Sequence, residues 1–295
     1  MNGQPPLITD RHQLARELEC LREKPGRLGL VPTMGAFHDG HISLVRRSVQ
    51  ECQATAVTIF VNPAQFNNQL DLEEYPRDMD RDLRLLSEVG VDLVYAPSQD
   101  EIYPDDFSEW VEPPGEAGKW EGEHRPGHFR GVCTVVKRLF QILPADVAFF
   151  GEKDYQQSVV IRQLVRQLGI SIHIEVCPTV REHDGLAMSS RNAYLSPAER
   201  QQAPGLWKCL QRAQAMVLEG ETRSPVITGE LTRFLEIEGL TQVDYVAIVD
   251  PETLESRELI DASLRLLVAA RLGTTRLIDN CLLSLPAGPA AAQQE

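Results

Sequence analysis

Short apolar, β-branched runs alternate with longer stretches of helical period through the first 180 residues. The runs cover residues 28–31, 56–61, 91–96, 147–150 and 171–176. Helical spacing occupies residues 42–52, 78–89, 132–143 and 157–168 between them. Such alternation predicts βαβ units and a parallel sheet covered on both faces, an α/β, Rossmann-like domain. Ligands of such sheets bind beyond the carboxyl ends of the strands. Beyond residue 180 the pattern changes. Two polar helices are expected over 197–219 and 225–239, followed by strands at 243–249, 264–270 and 276–281. The strands are too close together for helical crossovers and should pair antiparallel. The expected division is a Rossmann-like domain over 1–180, a smaller α+β lid domain over 181–284, and a frayed tail over 285–295. A hinge near 180–184 would let the lid close. Residues 101–129, rich in Pro, Gly, Trp and acidic side chains, read as a long excursion of the kind that often serves sites.

Composition narrows the function classes. Of 295 residues, 42% are hydrophobic and 24% charged, and the net charge is -14. That charge repels nucleic acid and anionic membrane surfaces, and no apolar stretch reaches the length of a spanning helix, so neither is an expected partner. A small-molecule role is favoured. The six cysteines lie far apart without metal-ligand spacing, and residues 1–10 have no signal-peptide character, so a cytoplasmic setting is the default.

Three strand ends carry polar or Gly/Pro punctuation, at 32–35, 62–66 and 151–154, and three segments, two at such ends and one in a polar loop, carry candidate chemistry. The first is PTMGAFHDGH, in which His38 and His41 sit where a helix begins. Free N–H groups and the positive dipole end suit phosphate there, and imidazoles can add hydrogen bonds. The same pair also fits a capping or surface role, or a metal pair short of ligands. The second, FFGEKDYQQ, places Lys153 beyond a buried strand as a mobile charge for phosphate, or as part of a solvated loop. The third is Asp184 to Asn192, where Ser189, Ser190 and Arg191 can close over a triphosphate or form an ordinary loop. No Walker A or G-x-G-x-x-G string is present. Acidic residues around Asp82 can approach a magnesium–phosphate complex or stand as solvated helix charges.

Taken in order, PTMGAFHDGH, FVNPAQFN, RPGHFRGV, FFGEKDYQQ and GLAMSSRNAYLS resemble the pantothenate synthetase (pantoate–β-alanine ligase) family, within the HxGH/KMSKS nucleotidyltransferases. The resemblance runs from about Leu28 to Cys281. It implies ATP-dependent condensation of (R)-pantoate with β-alanine through a pantoyl adenylate, in a homodimer, with magnesium carried by ATP. By that resemblance His38, His41, Lys153 and Arg191 are catalytic, with His41 the usual proton donor. Met34, Gly35, His38, His41, Gly151, Lys153, Asp154, Val180, Met188, Ser189, Ser190 and Arg191 face ATP. Gln65 and Gln157 hold pantoate, with Asn62, Tyr75, Phe150 and Met34 completing its pocket, and Asp82 is the carboxylate named for magnesium. The strand near 57–61 or the helix over 132–143 is expected to reach the dimer surface. This chain has Ala187 where a KMSKS string has its first lysine, so Lys153 is expected to supply the missing charge.

Overall fold

The computed structural model describes residues 4–23 and 25–285, so the frayed tail expected over 285–295 lies, from residue 286, outside the described residues. The chain divides into two compact units. The first holds the residues up to Val180 together with Met188–Ser190, and the second holds Arg181–Ala187 and the residues from Arg191 onward.

The first unit is an α/β sandwich. Its strands are β1 (Leu7–Ile8), β2 (Leu28–Thr33), β3 (Ala54–Ile59), β4 (Leu93–Tyr95), β5 (Val147–Gly151) and β6 (His173–Cys177). They form one parallel sheet in the order β1-β4-β3-β2-β5-β6. The connecting helices are α1 (Arg11–Arg22), α2 (Asp39–Glu51), α3 (Gln69–Glu73), α4 (Met79–Val89), α5 (Gln99–Ile102), α6 (Glu121–His124), α7 (His128–Ile142) and α8 (Tyr155–Leu168). Alternate strand residues feed two cores. Leu30, Ala56, Ala148 and Phe150 face Leu14 of α1, Val132 and Val136 of α7 and Val160 and Leu164 of α8. Val31, Val57, Val147 and Phe149 face Ile42 and Val45 of α2 and Leu83 and Leu86 of α4. A sheet buried on both faces explains why its strands read as continuous apolar runs. The chain runs outward from β2 to β3 on one side and returns to β5 on the other, so the switch in strand order lies between β2 and β5.

Three expectations need correction. The strand expected at a dimer surface is β3, which is flanked by β4 and β2 and buried throughout, so it cannot present a surface. The excursion expected over 101–129 ends early, because α7 opens at His128. The helix expected over 197–219 is two helices, α9 (Pro197–Gln202) and α10 (Gly205–Leu218). Pro204 stands between them, where a ring without an N–H interrupts one ladder and opens the next.

The second unit packs α10 and α11 (Ser224–Ile237) against an antiparallel sheet of β7 (Gln242–Val249), β8 (Leu264–Leu272) and β9 (Thr275–Leu283). Its core joins Leu206, Leu210, Ile227 and Leu231 to Leu266, Val268 and Leu277. Arg181 is anchored here. It forms a bidentate pair with Asp279 at 2.6 and 3.0 Å and lies 4.1 Å over the Trp207 ring. Arg200 bonds Asp184 and Glu182, each at 2.6 Å. All six cysteines are free, and among the described residues no helix is long and apolar enough to cross a membrane.

Candidate active site

The exit from β2 is a strained turn held from a distance. Gly35 (φ 79°) and Ala36 (φ 54°) are both left-handed, and for alanine that conformation costs about 1 kcal/mol. A Cβ at position 35 would lie 2.9 Å from Asp82 Oδ2, so glycine is required by space as well as by φ. The turn points successive N–H groups at one spot, an anion-binding nest. Asp82, at the start of α4, fills it: its carboxylate accepts from Ala36 N at 2.8 Å and from Phe37 N at 3.0 Å. Arg81 donates to the Phe37 carbonyl at 3.0 Å, and Thr33 Oγ1 accepts from Gly35 N at 3.1 Å. Asp82 is only 2% exposed, and burial raises its pKa despite the two N–H donors. Asp82 thus has a part that its acidic surroundings in sequence did not signal, as the clamp of this turn. Both oxygens serve the turn, and among the described residues no group of three His, Cys, Asp or Glu is placed to hold a metal ion.

His38 follows as the N-cap of α2. Its Nδ1 accepts from Gly40 N at 3.1 Å, which puts the ring proton on Nε2 and leaves that N–H available as a donor. The capping reading of this histidine is thus realised without consuming its other nitrogen. His41 stacks on it with ring centroids 4.1 Å apart and meets the edge of Phe37. Its Nδ1 is shut off from solvent without a hydrogen-bond partner. Burial, then the charge of Lys153, brings the His38 pKa down to about 4, and burial, then His38, brings His41 to about 3. Both rings are neutral at pH 7. The fields of Lys153 and Asp154, just beyond β5, act on both, so two motifs far apart in sequence share one locality. Lys153 Nζ stands 3.5 Å from Asp154 Oδ1. Met188 belongs to the same unit: its backbone N bonds the Val180 carbonyl at 3.0 Å, and its Cβ lies 3.6 Å from where a Cβ at Gly40 would be. Ser189 and Ser190 continue from it, whereas Arg191 belongs to the second unit.

The end of β3 supplies a second group. Asn62, 1% exposed, uses every position its amide has: Nδ2 donates to Gln65 Oε1 (3.1 Å) and the Gly131 carbonyl (3.2 Å), while Oδ1 accepts from Tyr103 OH (2.8 Å) and Ala64 N (3.3 Å). With nothing left for a ligand, Asn62 orients Gln65, which corrects its place among the pocket-lining groups. Gln65 Nε2 points to Met34 Sδ at 3.0 Å, a weak acceptor. Phe150 is buried in the sheet core, Tyr75 is buried edge-on against Phe66, and Gln157 is half-buried in the first turn of α8, next to Gly151 and the Lys153 turn. Sequence reasoning missed Tyr103, Gln156 and His128. Gln156 ties the excursion to α8 through bonds with Glu116 O, Lys119 O and Glu121 N. RPGHFRGV contains His128 and FFGEKDYQQ contains Gln156, whereas Tyr103 stands in neither string.

Comparison with known proteins follows the same lines. The family model described as Pantoate-beta-alanine ligase matches residues 6–282. A pantothenate synthetase of Thermotoga petrophila is 48% identical, covering 94% of this chain and 99% of that protein, and one of Dehalococcoides mccartyi is 48% identical over 89% and 98%. Among solved structures, pantothenate synthetase of Thermus thermophilus superposes with a TM-score of 0.85 at 42% identity, covering 93% and 98%. Pantoate-beta-alanine ligase of Francisella tularensis, in complex with β-γ ATP and β-alanine, gives 0.78 at 35% identity, covering 94% and 97%. The chain belongs to the pantoate–β-alanine ligase family.

Proposed function

We propose that this ligase condenses (R)-pantoate with β-alanine in two displacements, with ATP and its magnesium as co-substrate. In the first, a pantoate carboxylate oxygen bonds to the α-phosphorus of ATP as the bond from that phosphorus to the bridging oxygen breaks, releasing pyrophosphate. In the second, the β-alanine amine bonds to the acyl carbon of pantoyl adenylate, loses a proton, and AMP departs with the electrons of the broken C–O bond. Adenylation is needed because a carboxylate is itself a poor acyl donor. Both steps ask the protein for alignment and for donors where negative charge accumulates.

The observation that carries this reading is the stacked, neutral His38–His41 pair at the start of α2, within the fields of Lys153 and Asp154. Neutral imidazoles donate N–H bonds to phosphate without a fixed charge, and a triphosphate placed beside them raises their proton affinity, so His41 can pass a proton as pyrophosphate leaves. Met34, Gly35, Gly151, Val180, Met188, Ser189 and Ser190 are assigned to the nucleotide, and Arg191 is assigned to its phosphates on the motif. Gln65 and Gln157 are assigned to pantoate. The Gln65 Oε1 is held by Asn62, while its Nε2 donates only to a thioether, a weak acceptor that a hydroxyl or carboxylate outcompetes. The six free cysteines support action in the reducing cytoplasm.

Pantoate labelled with oxygen-18 in its carboxylate tests the route. Label transferred into AMP is expected; label retained wholly in pantothenate, or lost to phosphate, contradicts attack at the α-phosphorus.

A further inference from the structure

The string RPGHFRGV carries part of the family likeness, and two of its residues, Arg125 and His128, bear on the site. Its glycines explain its course. Gly127 takes φ 82° to turn the chain into α7, and a Cβ at Gly131 would stand 2.2 Å from the Ala64 carbonyl. Helix α7 therefore lies against the 3-10 turn Pro63–Gln65 at backbone contact, an approach only glycine permits.

At that contact His128, 7% exposed, brings Nδ1 to 2.9 Å from the carbonyl oxygen of Gln65. A carbonyl only accepts, so Nδ1 carries the proton and Nε2 is left with a lone pair. Arg125 NH1 faces that lone pair at 3.2 Å, and Arg125 NH2 reaches the same Gln65 carbonyl at 3.3 Å. A guanidinium on Nε2, in a buried site, keeps the ring in its single neutral tautomer. Around this pair stand Glu121, 3.8 Å from Arg125, and the Phe129 ring, and Asp154 acts from farther off. Gln65 is consequently gripped twice, at its main chain by His128 and Arg125 and at its side-chain Oε1 by Asn62. A histidine so enclosed has no open nitrogen for catalysis.

We infer that His128 is a positioning residue for pantoate: donating to the Gln65 carbonyl, it fixes where the Gln65 amide stands in the acid-binding pocket. This rests on the assignment of Gln65 to pantoate. The ring acts through one atom, Nδ1, and substitution can separate that atom from the other. Asparagine at 128 sets an N–H near the place of Nδ1, while glutamine fills more of the site and offers Arg125 an acceptor but has no donor at that place.

The test is steady-state kinetics on the full chain, each substrate varied in turn. For His128→Gln, KM for pantoate is expected to rise about tenfold with KM for ATP within about twofold, the scale of one lost hydrogen bond. His128→Asn is expected to stay near the parent. In a Gln65→Ala background, His128→Gln should add less than about twofold, because both changes remove one function. The inference is overturned if Asn is the worse replacement, if all KM values rise together, or if the two losses multiply. A parent chain that turns over without pantoate overturns the Gln65 assignment itself, whereas a pantoate-dependent parent with an unchanged His128→Gln variant overturns the role of His128 alone.

Discussion

Asp82 Oδ2 accepts the backbone N–H of Ala36 at 2.8 Å across 46 residues of sequence. The bond stabilises an alanine in a left-handed conformation, immediately before the two histidines assigned to the phosphates. Asp82→Ala leaves two N–H groups without their acceptor, which costs about 1–3 kcal/mol each when they are buried. The expected outcome is a lower melting temperature together with a rise in KM for ATP. A variant that loses stability but binds ATP normally would show that the turn holds its shape without the carboxylate.

His41→Ala should reduce the adenylation rate by about 10² while leaving the fold intact, the scale of losing one oriented donor at developing charge. Pyrophosphate exchange into ATP with pantoate present measures that half-reaction by itself. A near-normal exchange rate removes His41 from the chemistry.

Stability should depend on pH through buried histidines. His38 has its pKa pushed down to about 4, and His41 and His128 to about 3, against an unfolded value of 6.5. Between those values the unfolded chain binds more protons, so their stabilisation is complete above pH 6.5 and drains away as pH falls towards 4. The His128 shift alone is worth on the order of 3 kcal/mol between pH 7 and pH 4. Urea unfolding from pH 7 to pH 5, a range in which ordinary carboxylates have not yet titrated, should show a declining midpoint. That decline should be shallower in His128→Asn, and equal slopes would contradict a buried neutral ring.

In the second unit, Arg181→Met should destabilise by about 3 kcal/mol or more, because it strands the Asp279 carboxylate without its partner. That carboxylate is only 1% exposed. Chemical denaturation gives the value directly. A loss under about 1 kcal/mol, the range of surface ion pairs, would mean that Asp279 finds water or another donor.

How far the sequence spoke depends on the distance over which each signal acts. Strand runs and helical periods are local, and they placed β2, β3, β5, α2 and α8 to within a few residues. Strand-end punctuation likewise pointed to His38, His41 and Lys153, because glycine and proline mark turns wherever they occur. The contacts that shape the site are not local. Asn62 meets Tyr103 across 41 residues and Gln65 meets His128 across 63, and no period encodes such a pairing. Ala36 gives no sign of a left-handed backbone, since its conformation is imposed from outside by Asp82. An acidic helix start reads as solvated charge until the turn that it clamps is seen.

The most direct test of the whole account is the purified chain with ATP–magnesium, pantoate and β-alanine, assayed for AMP, pyrophosphate and pantothenate with each substrate omitted in turn. AMP and pantothenate should accumulate together only when all three are present, and pyrophosphate exchange should need pantoate but not β-alanine. Pyrophosphate release that is indifferent to pantoate, or no turnover with all three substrates present, would contradict the account.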